Sequence, residues 1–341
     1  YDATGAVKGL LIEEARTNLM TSSGDLNGTG WSGGATIGTA IAGSPFGTYQ
    51  TVSPSSSGSL GIAQRFQIGK TLTLGATYVG WALVKYSAGS GWFDINMYDT
   101  GDATKRAYFD VQNGVVGVKD AAIIDHGMID YGDGWWLCWA SANAASTSGG
   151  PLYEVPNGNG SQVASTSDAI LIAGTQFELG AFHTSYIPTT GAPATRARDL
   201  AQIPTSAFGY NNDAGTVVCE FDSAALYGST IFTLDGAGSS NGITAIIYPA
   251  NRISYQVVTG GVTQVNSNFD AYATASQVSK VATVYAKDDF AAVLNGGAVA
   301  TDTAASLPTV GLLRLGVYLG GASFIMSGHI KSIQYYPRRL T

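Results

Sequence analysis

Short apolar, β-branched and aromatic runs return along this chain every ~8–15 residues, closed by clusters of Gly, Asn or Asp. That rhythm constrains the fold more than any other feature. A helix would need an apolar stripe of period ~3.6 held over about ten residues, and no such stripe lies between the runs. In the first half the runs are IAQRFQI (62–68), ATYVGWALVKY (76–86), WFDINMY (92–98), RAYFDV (106–111), VVGVKD (115–120), GWWLCWASA (134–142) and AILIAGTQFEL (169–179). Turn chemistry separates them: GDA at 101–103, QNG at 112–114, YGDG at 131–134 and NGNG at 157–160. Within IAQRFQI, Ile62, Gln64, Phe66 and Ile68 alternate against Ala63, Arg65 and Gln67. Taken alone, EEARTNLM (13–20) reads as a helical turn.

The second half repeats the style with GTVVCEFD (215–222), STIFTLD (229–235), NGITAIIYP (241–249), RISYQVV (252–258), SKVATVYA (279–286), LLRLGVY (312–318) and GHIKSIQYYP (328–337). Within DFAAVLNGGAVA (289–300), the Asn295-Gly296 step marks a hairpin, and the final strand is expected inside a sheet. Between the halves, IPTTGAPATRARDLAQIPTS (187–206) reads as a linker, with prolines, small polar residues and two arginines. A chain of 341 residues suits two domains. The expected architecture is all-β: two antiparallel, jelly-roll-like β-sandwich domains joined by a Pro/Thr/Ala-rich linker. Residues 1–200, linker included, form the first, and residues 201–341 the second.

Composition narrows the functions. Gly accounts for 45 residues and charged residues for only 12%, while 18 Tyr and 6 Trp exclude a disordered chain. A net charge of -7 with scattered basic residues argues against nucleic acid, because a phosphate backbone needs clustered Lys and Arg. The basic pairs Arg196/Arg198 and Arg338/Arg339 read as surface or linker charges. Cys138 and Cys219, each in an apolar run, read as buried thiols rather than as a disulfide across the domains. No apolar run reaches the ~18 residues of a membrane span, and no signal peptide is present. A start at Tyr1-Asp2 without Met points to a piece of something longer.

Three stretches carry a family resemblance: GLLIEEARTNLM (9–20) followed by Trp31, then GDGWWLCWAS (132–141) leading to QFELGAFHTSYIPTTGAPATRARD (176–199), and the terminal SIQYYPRRLT. Together they resemble phage and prophage tail-fibre, spike and other appendage proteins. In that family a carbohydrate-binding-module-like jelly roll precedes a concanavalin A/laminin-G-like sandwich. The resemblance implies a virion appendage acting outside the cell, non-catalytic adhesion to cell-surface polysaccharide, and other virion proteins as partners. It implies no required cofactor, and it raises the question of a structural calcium at Glu13, Glu14 and Glu178; the alternative is that the Glu13/Glu14 pair salt-bridges Arg16. Closed symmetry is the default for such assemblies, which makes a homo-oligomer an expectation. Residues 149–168 are longer and richer in Gly and Asn than the family pattern, as an elaborated binding loop would be, so the identity of the sugar is not carried over.

No G-x-S-x-G, H-E-x-x-H or P-loop motif occurs. A glycosidase needs two carboxylates ~5–9 Å apart, and Glu13, Glu14, Asp94, Asp99, Asp102, Asp110, Glu154 and Glu178 fall in no acid/base motif. His126, His183 and His329 sit in different segments, which leaves a lyase without a recognisable base. Sugar stacks on flat aromatic faces, and the first half is rich in them. In strand 134–142, Trp135, Leu137 and Trp139 share one face, and Trp136, Cys138 and Ala140 the other. Buried Cys138 makes the second face core and the first a binding face. In strand 76–86, Trp81 shares a face with Lys85, which resists full burial. Trp81 and Trp139, with Trp92, Trp135 and Lys85, are therefore the expected glycan site. A spacer role and a polysaccharide depolymerase are the competing readings.

Overall fold

The computed structural model describes residues 7–341 except 68, 103, 225–227, 237, 239, 249–251, 273–276 and 322, so Ile68, Ala103 and Pro249 of the runs above lie outside the described residues. Among the described residues the chain is all-β, with antiparallel sheets and only short 3-10 turns. It divides into two compact units, Arg16–Arg196 and a second made of Tyr1–Ala15 with Ala197–Thr341.

The division departs from the expected boundary at the N-terminus. Leu10–Ile12 pairs with Gly328–Tyr336, and Ile12, fully buried, packs in one core with Met326 and Ile330. Gly9 permits this pairing, since a Cβ there would lie 2.3 Å from the carbonyl oxygen of Ile330. The first sandwich is therefore inserted into the sequence of the second. Its two ends, Arg16–Asn18 and Ala194–Arg196, pair with each other and close the insertion. EEARTNLM thus holds a strand, not a helical turn. The expected linker is absorbed as well, because Ala194–Arg196 belongs to the first unit and Ala201–Pro204 pairs with Leu312–Leu315 of the second.

In the first unit a seven-stranded sheet runs in the order Ile123–Asp130, Trp135–Asn143, Thr77–Ala88, Ala169–Leu179, Gly47–Ser53 and Thr36–Ile37, with Ile41–Ser44 also on Gly47–Ser53. A five-stranded sheet runs Val115–Lys119, Arg106–Asp110, Trp92–Asn96, Leu152–Glu154 and Gln64–Phe66. Period-two alternation supplies the core: Val84, Cys138 and Ala140 from the first sheet meet Phe93, Phe109 and Tyr153 from the second. Each such ring contributes ~2–3 kcal/mol through burial.

The second unit packs two six-stranded sheets around Phe221, Phe232, Tyr255, Tyr285 and Phe290. Gly328–Tyr336 lies inside its sheet, between Leu10–Ile12 and Ala214–Ser223. Asn295 and Gly296, at φ 49 and φ 71, make the tight turn that follows Asp289–Leu294, and that strand pairs with Ala300–Asp302. Both cysteines are free and buried in separate cores, and burial raises their thiol pKa values, that of Cys219 to about 12.

Candidate functional site

The alternation read from strand 134–142 holds: Cys138 and Ala140 lie in the main core, with Trp136 packed against it. The opposite face is not open, however. Trp81, fully buried, and Trp135, 3% exposed, form a second small core with Leu83, Leu137 and Ala173. Phe46, at the tip of the hairpin Ile41–Ser44/Gly47–Ser53, lies 6.0 Å from the Trp81 ring, and Tyr186 lies 5.7 Å from it. Phe46 and Tyr186 stack on each other at 4.6 Å, and Tyr49 covers Trp135 at 5.7 Å. These two indoles were expected to present faces to a sugar; a hairpin and a C-terminal loop roof them instead. Lys85 is half-buried because its Nζ donates to the carbonyl of Asp133 at 2.6 Å. Trp139 is also half-buried and packs 5.8 Å from His183.

Trp92 is placed elsewhere, on the outward face of the five-stranded sheet. There the strand registers align two rows, one polar throughout and one polar for half its length. One runs Tyr108–Asp94–Glu154–Gln64, the other Arg106–Asn96–Leu152–Phe66, and Trp92 stands opposite Asp110 beside them. Directly paired side chains have Cβ atoms ~5 Å apart, so each row is continuous. Arg106 reaches across its neighbouring strand. Its Nε donates to Glu154 Oε2 at 3.0 Å and stands 3.9 Å from Asp94 Oδ2. The second Glu154 oxygen accepts from the Gln64 amide.

Asp94 is fully buried, and neither of its oxygens receives an N–H. Its carboxyl stays protonated well above the usual carboxylate range. Burial is the main cause, followed by the Glu154 charge and the hydrogen bond to it, with Arg106 opposing. Tyr108 is likewise pushed up, first by burial and then by Asp94. A further carboxylate, Asp120, accepts from the N–H of Arg106 at 2.9 Å.

The rim is built for Trp92. Gly117, on the edge strand, has no side chain where a Cβ would lie 2.7 Å from the Trp92 ring and 2.6 Å from Asn159 Oδ1. Asn159 comes from the Gly/Asn-rich 149–168 segment, and its Oδ1 accepts from the N–H of Val118 at 2.9 Å. The edge strand is thus capped by a loop that ends beside the indole.

This arrangement suits binding rather than hydrolysis. A glycosidase separates its carboxyls by ~5–9 Å to admit a glycosidic oxygen or water. Asp94 and Glu154 instead stand directly opposite each other on paired strands, and both are fully buried. The histidines do not assist: His126 lies 3.4 Å from the carbonyl of Gly117, His183 packs on Trp139 and His329 pairs with Asp222 at 3.0 Å. Of the carboxylates considered for calcium, Glu178 directs its two oxygens at the N–H and hydroxyl of Thr184. Arg16 donates to the Leu179 carbonyl and lies 4.8 Å over the Phe182 ring. No group of three or more potential metal ligands forms among the described residues.

Sequence reasoning missed Arg106, Asn96, Gln64 and Asn159 as one constellation, though the signal was present. Period-two reading of WFDIN and RAYFD puts Trp92/Asp94/Asn96 and Arg106/Tyr108/Asp110 on single faces, opposite Phe93, Ile95, Ala107 and Phe109.

No family model and no curated protein matches the chain. Among solved structures, similar folds include the Ruminococcus gnavus IT-sialidase CBM40 bound to alpha2,3 sialyllactose (TM-score 0.35, 16% identity, 40% of this chain and 82% of that one). Chicken Galectin 2 (0.26, 11%, 36% and 89%) and a heptameric SAP-like pentraxin from Limulus polyphemus (0.30, 14%, 39% and 69%) are others. At these scores the likeness carries no argument about function, which rests on the side chains.

Proposed function

We propose that the chain is a non-catalytic glycan-binding module, and that the first sandwich holds the sugar on the outward face of its five-stranded sheet. The observation that carries this reading is the half-buried Trp92, which stands beside a row ending in half-buried Gln64 and next to the exposed loop residue Asn159. Gln64 and Asn159 offer donors and acceptors to hydroxyls, and the indole offers a flat face to the apolar side of a pyranose. The one cation of the floor, Arg106, is held by Glu154, so polysaccharide recognition there needs no counterion release from a basic patch. Trp139 and Lys85, half-buried on the other sheet, are peripheral in this reading, and Trp81 and Trp135 maintain the fold.

The family resemblance supports placing this module on a phage-type virion appendage, where it attaches the particle to cell-surface polysaccharide beside other virion proteins. A glycan array probed with the wild-type chain and with Trp92→Ala tests the reading. Signal on host-surface glycans is expected for the first and its loss for the second. Release of new reducing ends, or of unsaturated uronates, from the same polysaccharides contradicts the non-catalytic part.

A further inference from the structure

The outward face of the second sandwich shows a comparable arrangement that the first site does not explain. In the sheet containing Ser229–Asp235, Gly242–Tyr248, Arg252–Thr259 and Leu312–Leu315, the register aligns Arg314, Thr233, Thr244, Gln256 and Asn266 in one row. Their strand neighbours Leu234, Ile243, Ala245, Tyr255, Val257 and Val265 face the core. Arg314 is neutralised by Asp235 at 3.0 Å, so this row is without net charge.

A segment following Leu312–Leu315 crosses part of this face. Thr233 Oγ1 donates to the carbonyl of Val317 at 3.0 Å, and the Tyr318 hydroxyl donates to Gln256 Oε1 at 2.8 Å. It covers Thr233 and Thr244, both fully buried, while Gln256 stays half-buried and Asn266 exposed. Along the border stand three rings. Phe324 lies 5.4 Å from Tyr318 and 6.1 Å from Tyr248, and Tyr248 is 40% exposed.

Phe324 adopts φ 50, a left-handed conformation that is strained for a bulky aromatic residue. Such strain persists only where the surroundings hold it, and it concentrates at ligand sites. Here it is held by the carbonyl of Phe324, which accepts from Thr230 N at 2.9 Å, and by the bare Gly228, where a Cβ would lie 2.7 Å from the ring. The conformation keeps an aromatic ring between two tyrosines at the end of an amide row.

We propose that the second sandwich carries its own saccharide site at Tyr248, Tyr318 and Phe324, with Gln256 and Asn266 as hydroxyl partners, and that it takes an uncharged pyranose unit. The rings supply stacking surface, the amides supply donors and acceptors, and the charges of the row, Arg314 and Asp235, offset each other. The site uses no residue of the first sandwich.

The test uses the full chain and a panel of immobilised neutral oligosaccharides built from glucose, galactose, mannose and N-acetylglucosamine. Trp92→Ala removes the first site's indole. Residual binding to at least one panel member is expected, and adding Tyr248→Ala or Phe324→Gly is expected to weaken it at least tenfold. Tyr248 is exposed and Gly accepts φ 50, so neither change threatens the fold; circular dichroism and the unfolding midpoint check this. Loss of all panel binding in Trp92→Ala overturns the second site and leaves the first intact. Residual binding unchanged by both second-site substitutions also overturns it. A wild-type chain that binds no panel member overturns the second site, while retained binding to host-surface glycans on the array would leave the first-site reading standing.

Discussion

The two outward faces of the first sandwich differ in what covers them. The seven-stranded sheet presents the larger aromatics, Trp81, Trp135 and Trp139, and a hairpin and a loop close over the first two. On the five-stranded sheet Asp94, Asn96, Arg106, Tyr108 and Glu154 are buried as a polar floor, while Trp92 and Gln64 stay half-buried at its margin. A face of apolar rings gains free energy by recruiting a roof. A face whose floor is an arginine–carboxylate pair gains nothing from an apolar roof, because burial without partners is costly. Aromatic abundance therefore marks the face roofed by further rings, and beside the polar floor the accessible groups lie at its margin, at Trp92, Gln64 and Asn159.

The largest effects expected from breaking this comparison are on stability. Trp81→Ala should lower the unfolding free energy by ~3–5 kcal/mol in a denaturant titration. Glycan affinity of the folded fraction should stay unchanged; a specific loss of affinity without loss of stability would return Trp81 to the binding face. On the other sheet, Arg106→Met strands a fully buried carboxylate without its cation, at a cost of ~3 kcal/mol near neutral pH.

Trp92→Ala acts on function instead. Titration calorimetry should show affinity falling at least about tenfold, or ~1.4 kcal/mol, with stability changed by less than ~1 kcal/mol. A subtler change separates the roles of the carboxyls. The native pKa of Asp94 is raised, so the folded chain keeps a proton that the unfolded chain releases above pH ~3.9. Wild-type stability from this group is therefore fully present below that pH and falls as pH rises towards the native value. Asp94→Asn, which mimics the protonated form, should flatten that fall in unfolding curves measured from acid to neutral pH. The smallest effect concerns salt: the Arg106–Glu154 pair is buried and poorly screened, so affinity should change by less than about twofold between ~0.05 and ~0.5 M salt.

Strand rhythm and turn chemistry made the all-β fold legible. AILIAGTQFEL was readable to its ends as Ala169–Leu179, and Asn295-Gly296 as a turn. The N-terminal strand was not legible as part of the second unit, since three residues pairing with a strand more than three hundred positions away leave no local signature. The linker misled because Pro and Thr also suit short edge strands, which is what Ala201–Pro204 forms. At the site, parity was readable but roofing was not. Nothing in the run IAGSPFGTYQ (41–50) announces that Phe46 will lie over Trp81. Asp94 and Glu154 were visible as carboxylates, but only the register pairing Asp94 with Glu154 brings them together.

The six tryptophans provide the most direct test, because each indole N–H gives its own resonance in a ¹⁵N–¹H spectrum. Once assigned by substitution, these signals can be followed while a host-surface oligosaccharide is titrated into the full chain. The Trp92 signal should move with saturation, and those of Trp81 and Trp135 should hold still. Movement of Trp81, Trp135 or Trp139 with a stationary Trp92 would place the sugar on the seven-stranded sheet and contradict the account.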